Sequence, residues 1–216
     1  MSRAIAIVLL LCGMARAQFA ALPVVQVRAR ENMPYDAEIE YLGSTGTQYI
    51  DTGLVTSTDK VCNFDLRGAF VSSAALGGLF GWRYGATARY GWWQSAIGLD
   101  NSTQVPLALG ETIHEISARN GAYIEVDSVQ TPIGTASIRD YMGIVLFANV
   151  GTSYGSTPTY FASGKICYFR AYNTDDEILV DFIPVRVGII GYMYDKVSCK
   201  LYGNAGTGAF VLGPDK

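Results

Sequence analysis

Ile113-His114-Glu115-Ile116-Ser117-Ala118-Arg119-Asn120-Gly121-Ala122-Tyr123-Ile124-Glu125-Val126-Asp127 reads as a β-hairpin. Successive strand residues point to opposite faces, so His114, Ile116 and Ala118 share one side. Ala122, Ile124 and Val126 continue an apolar face on the return strand, and Tyr123, Glu125 and Asp127 look the other way. Asn120-Gly121 suits a two-residue type I′ turn, in which both central residues take positive φ.

The texture of this hairpin extends over most of the chain. Short alternations separated by Gly, Asn, Asp and Thr clusters give candidate strands at 38–42, 48–50, 60–70, 76–84, 89–94, 96–99, 112–119, 122–127, 141–148, 164–172, 177–183, 188–194 and 199–202. No twelve-residue stretch has a 3.6-residue apolar period. Many short strands with turn signals between them predict an all-β fold of two packed antiparallel sheets, a sandwich or jelly roll. No fixed repeat and no second linker interrupts 38–216, which therefore reads as one domain.

The 216 residues are half apolar and 16% charged, which excludes a disordered chain. The formal charge is −3. This argues against nucleic acid or anionic lipid as the main partner, since both call for a basic face. One His and four Cys leave little for a transition-metal site.

Met1 to Ala17 has the order of a secretory leader: Arg3, an apolar core from Ala4 to Met14, then Ala15-Arg16-Ala17 as a cleavage site. Its core is too short to span a bilayer. The expectation is an extracytoplasmic chain beginning at Gln18, secreted or held at the cell surface, with no later membrane insertion. A buried N-terminal strand is the bland alternative. Residues 18–37 carry Pro23, Pro34 and Arg28-Ala29-Arg30-Glu31 without a clean period, and read as a linker or arm.

Cys12 falls within the leader. Cys62, Cys167 and Cys199 each sit in an apolar alternation, which reads as buried free thiols packing as small hydrophobes. Export also permits one disulfide, Cys62 to Cys167, with Cys199 free. The sequence leaves both open.

Several stretches together resemble LamG-like domains of the concanavalin A-like lectin/glucanase superfamily. The hairpin with its His, Asn-Gly turn and Val126-Asp127 ending is similar to the central hairpin of those domains. Gly164-Lys165-Ile166-Cys167-Tyr168-Phe169-Arg170-Ala171-Tyr172 resembles their late strand. Glu40 to Gly53, Asp181 to Arg186, Tyr194-Asp195 and Tyr202 to Gly208 are similar to a subgroup found in exported bacterial and phage-associated proteins. The likeness covers about 38–210 and implies a two-sheet antiparallel jelly roll. It implies carbohydrate or a glycosylated surface as ligand, and bound calcium as a possibility. Eligible oxygen donors are Asp100, Asn101, Asp127, Asp140 and Asn149.

The aromatic run is the sequence's best functional lead. Phe80-Gly81-Trp82-Arg83-Tyr84 and Arg89-Tyr90-Gly91-Trp92-Trp93-Gln94 hold all three tryptophans. Sugar rings pack their C–H faces on aromatic planes while polar neighbours bond the hydroxyls. Trp82, Arg83, Tyr84, Tyr90, Trp92, Trp93 and Gln94 are the candidate ligand-binding residues, with Tyr154 from the 149–160 loop. The alternative is that the rings fill the sandwich core, and alternation already requires one tryptophan to face away from its neighbour.

Glu125 and Asp127 sit at i and i+2, as a glycosidase carboxylate pair on one strand would. Ser128, Val129 and Gln130 follow where a further Glu would be wanted, which favours the polar side of a hairpin. Asp175-Asp176-Glu177 reads as a solvated turn, and Gly203, Gly206 and Gly208 as turn glycines. His114 reads as a core or inter-sheet histidine, with no Gly-x-Ser-x-Gly elbow to serve. The expectation is a non-catalytic, exported binding module. A structural, assembly or adhesion protein that self-associates is the alternative, and a glycoside hydrolase the weaker one.

Overall fold

The long apolar alternations at 63–73 and 160–172 become the two central strands of the larger sheet. The computed structural model describes residues 33–57, 62–73, 77–84, 88–100, 104–140, 142–151 and 158–216. The leader, most of the proposed arm, Asn101 and Tyr154 lie outside the described residues. Met33–Lys216 forms one compact unit.

Strand β4 (Asn63–Ser73) turns Phe64, Leu66 and Phe70 inward and leaves Asp65 and Arg67 outside. It pairs on one side with β14 (Tyr160–Tyr172) and on the other with β9 (His114–Arg119). Beyond β9 come β10 (Tyr123–Val126) and β11 (Val129–Pro132). Beyond β14 come β15 (Ile178–Val187), β16 (Ile190–Asp195) and β17 (Lys200–Tyr202). Four short strands complete this sheet: β1 (Ala37–Glu38) on β15, β2 (Leu42–Thr45) and β13 (Ala148–Asn149) on β14, and β18 (Val211–Leu212) on β2.

The smaller sheet runs β3 (Ile50–Thr56), β12 (Met142–Leu146), β5 (Gly78–Tyr84), β6 (Ala88–Trp93), β7 (Ala96–Gly98) and β8 (Gln104–Pro106). All strand pairings in both sheets are antiparallel. The all-β, two-sheet expectation therefore holds, and the architecture is that of a β-sandwich.

Aromatic side chains join the sheets. Phe64 meets Phe80 edge-on at 4.8 Å, Phe80 meets Phe169 at 5.2 Å, and Phe70 meets Trp92 at 5.7 Å. Large rings bury the most area per residue and favour such tilted contacts. A smaller cluster of Ile183, Val185 and Tyr194, with Tyr35 packed on it, seats the start of the unit.

The stretch around Gln48 proves structural. Gln48 is buried; its Oε1 accepts from the Thr45 N–H and Ser44 hydroxyl, and its Nε2 donates to the Ala209 carbonyl. Asn204 Oδ1 accepts from the Tyr49 and Gly206 N–H groups. The Gly-rich tail is thus a loop tied back onto 44–49.

Two turns differ from the expectation. At 119–122 the Ala122 N–H reaches the Arg119 carbonyl, and positive φ falls on Gly121 alone. That is the requirement of a type II turn, not I′. Asn120 is held by its own side chain, which exchanges hydrogen bonds with the Ala136 backbone. The two-residue turn with positive φ at both positions lies at Asp127-Ser128, between β10 and β11.

The cysteines also divide differently. Cys62 is buried in the core; Cys167 is buried too, but a register shift between Ile166 and Tyr168 leaves it at a depression with Arg67 and Lys216 and outside the apolar set, and Cys199 is exposed with φ 57°. All three are free thiols. Along the β4–β14 ladder, Asn63 faces Tyr172 and Gly68 faces Ile166. Cys62 and Cys167 are thus offset by about five residues, roughly 16 Å of strand, far beyond the ~7 Å Cα limit for a disulfide.

Candidate functional site

The aromatic run divides between the two faces of its sheet. Trp82 and Tyr90 are cross-strand partners, stacked with a 9° interplanar angle, and both are fully buried, as is Trp92. Trp93 faces the opposite side beneath Arg89, whose guanidinium lies 5.5 Å from the ring, and it too is buried. Arg83 is half-buried, and Gln94 occupies the following turn with φ 45°. Among the described candidates only Tyr84 keeps substantial exposure, with Arg139 stacked over its ring. The shallow aromatic face expected from Trp82, Tyr90, Trp92 and Trp93 is not on the surface. The period of two that forms the strands sends three of these rings into the core.

The outer face of the larger sheet offers a different surface. An open groove of about 630 Å³ is lined by Asp65, Glu115, Ser117, Glu125, Tyr168 and Arg170, with Ile116, Asp127 and Ser128 at its margin. Strand register explains the grouping. Glu125 faces Ser117, Ser117 faces Asp65, Asp65 faces Arg170, and Arg170 faces Asp181. One straight row of polar side chains therefore crosses β10, β9, β4, β14 and β15.

Two ion pairs form the deeper part of this row. Arg119 donates to Asp65 at 2.9 Å, and Tyr172 also donates to that carboxylate. Burial pushes the Asp65 carboxyl up, but hydrogen bonds from Arg119, Tyr172 and Ser117 outweigh it and hold the carboxyl below its ordinary range. Arg170 donates to Asp181 at 2.9 Å. Its guanidinium also lies 5.2 Å from the Tyr168 ring.

The rim is less committed. Tyr168 donates its hydroxyl to Glu115 at 2.8 Å, and Gln130 donates its amide to Glu125 at 2.7 Å. Burial and the Glu115 hydrogen bond raise the Tyr168 pKa, so the phenol stays protonated as a donor. A carboxylate has about four acceptor sites. Glu115 and Glu125, each bonded to one neutral group, keep acceptor capacity toward the groove.

Asp127 lines the groove with Glu125, but both of its carboxylate oxygens are engaged. In its left-handed conformation its Oδ2 lies 2.7 Å from His114 Nδ1, and its Oδ1 accepts from the Glu115 N–H at 2.9 Å. His114 has its ring edge-on to Trp92 at 6.0 Å. This matches the expected inter-sheet histidine with one nitrogen bonded. Of the other oxygen donors considered for calcium, Asp100 accepts from the Ser137 N–H, and Asn149 is buried against Gly78. Among the described residues no group of three His, Cys, Asp or Glu side chains converges as a metal site.

No family model, curated protein or solved structure matches this chain. What the groove can do is therefore argued from its own chemistry. Convergent carboxylates, a phenol, a hydroxyl and a guanidinium can bond a polyhydroxylated ligand laid across the strands. Sequence reading missed Asp65, Glu115, Ser117, Tyr168 and Arg170. Each is an outward polar residue in its own strand and unremarkable alone. Only the register brings them together.

Proposed function

We propose that this protein is a non-catalytic binding module that holds carbohydrate, or a glycosylated surface, in the groove on the outer face of its larger sheet. The observation that carries this reading is the groove lined by polar side chains from four adjacent strands, with Glu115 and Glu125 retaining acceptor capacity. Small-ligand sites combine a concave surface with a few convergent polar groups. The engagement of both Asp127 oxygens favours holding a ligand over cleaving one. The likeness of the sequence motifs to LamG-like domains favours the jelly-roll form of the sandwich, and Met1–Ala17 favours export.

A glycan-array screen of the folded protein, with and without calcium, tests the reading. Binding should fall at least about tenfold in Glu125→Gln, since a hydrogen bond to a charged group contributes about 1.5–3 kcal/mol. A blank array on folded protein, or binding untouched in Glu125→Gln and Tyr168→Phe, would remove the groove from consideration. The intact mass of exported protein tests the leader, which should be missing up to Ala17.

A further inference from the structure

A second depression lies beside the groove, across the Tyr168–Glu115 hydrogen bond. Its volume is about 290 Å³, and Glu40, Tyr41, Arg67, Ile113, Cys167 and Lys216 line it. Register places it on the same sheet face. Arg67 of β4 stands between Glu115 of β9 and Tyr168 of β14, the two residues that form the groove's rim.

The charge here is opposite in sign to that of the groove. Lys165 lies over the Tyr41 ring at 5.2 Å while its ammonium pairs with Glu111. Among the described residues, neither Arg67 nor Lys216 forms an ion pair. Glu40 is the one acidic side chain in the lining. Burial raises the pKa of the Cys167 thiol; Arg67, Lys216 and Lys165 oppose that rise while Glu40 adds to it. Two cations, Arg67 and Lys216, line the depression together. A guanidinium there presents a planar donor fork matched to carboxylate and sulfate oxygens.

We propose that this depression is an oxyanion subsite that takes the carboxylate of an acidic sugar, with Arg67 as its main ligand and Lys216 as its second. The inference rests on the carbohydrate reading of the adjoining groove and names its ligand class: an acidic oligosaccharide crossing from the groove over the Tyr168–Glu115 bar. Neutral residues would lie against Glu125 and Ser117, and the acidic one over Cys167.

Cys167 is a built-in reporter. Its alkylation in the native full-length protein, followed by peptide mass spectrometry, should slow in the presence of a neutral oligosaccharide that ends in a single galacturonate. The expected factor is about tenfold at ten times Kd, following 1 + [L]/Kd. Cys199 should be unaffected. Arg67→Ala should abolish the protection, and Lys216→Gln should weaken it; both residues are exposed, so the fold should tolerate either change. Equal protection by free galacturonate or inorganic sulfate at matched anion concentration would overturn the glycan assignment in favour of a small free anion. No protection by any of them would overturn the subsite. Neutral-glycan binding that is lost in Glu125→Gln but kept in Arg67→Ala would then leave the groove standing alone. Protection of Cys167 with no effect of Glu125→Gln on binding of that oligosaccharide would count against the groove.

Discussion

Asp127 Oδ2 lies 2.7 Å from His114 Nδ1, and this contact ties the turn after β10 to the start of β9. The carboxyl pKa is lowered chiefly by the Glu115 N–H; burial opposes this, and His114 lowers it further. A depressed folded pKa gives stability that is present above the unfolded value near 3.9 and lost as pH falls through the folded one. The Asp127 side chain is half exposed, so the contribution is small, about 1 kcal/mol or less. Asn also tolerates left-handed φ, so Asp127→Asn isolates the charge. Urea denaturation should find the variant slightly weaker at neutral pH, with the two proteins converging as acid protonates the carboxyl. A gap that persists in acid would assign the effect to the turn itself.

Gly81 and Gly91 face each other across β5 and β6 with φ 112° and 114°. A Cβ on Gly81 would strike the Tyr90 carbonyl, and one on Gly91 the Phe80 carbonyl. Both neighbours are backbone and cannot give way. Gly81→Ala should cost more than about 3 kcal/mol, combining left-side φ strain with a steric clash. Gly53→Ala also has positive φ but open space around it, and should cost only about 1–2 kcal/mol. Equal midpoints in denaturant for the two variants would contradict this account.

The outcome of the sequence reading divides along one physical line. Alternation is a property of a single strand, so the all-β class, most strands and the inward set Phe64, Leu66, Ile116 and Ile124 were legible. Alternation also warned that the tryptophans would separate, which they do at Trp92 and Trp93. Register is a property of two strands. Nothing in the local sequence of Asp65, Ser117, Glu125 or Arg170 records that they share a row. Strand β11 was missed because all four of its residues are exposed and carry no apolar face. The turn at Asp127-Ser128 is hidden in the sequence because neither of its two positive-φ residues is a glycine.

Stability and binding should separate cleanly between the two aromatic and acidic sites. Trp92 is fully buried against Phe70 and His114. Trp92→Ala should cost about 3–5 kcal/mol, the usual range for removing a core aromatic ring. Glycan affinity per folded molecule should not change. Glu125→Gln should show the reverse: stability within about 0.5 kcal/mol of the parent and weakened binding. Titration of both variants with the same glycan, alongside their urea curves, checks the pair. Selective loss of affinity in Trp92→Ala would return the aromatic run to the binding site.

The thiols should report burial through pH. Burial, with Asp176 adding to it, pushes the Cys62 pKa up to about 11. Its ionisation is therefore disfavoured in the fold relative to the unfolded chain, where a thiol titrates near 8.5. The sign follows: the neutral thiol's contribution is fully present below about 8.5 and is lost as pH rises toward 11. Wild type should lose stability across that window more steeply than Cys62→Ala, whose core lacks the ionisable group. Native alkylation should modify exposed Cys199 first and Cys62 last. In denaturant without reductant, Cys62, Cys167 and Cys199 should all react. A peptide linking Cys62 to Cys167 would require the β4–β14 register to be wrong by about five residues, and would overturn the row on which the groove depends.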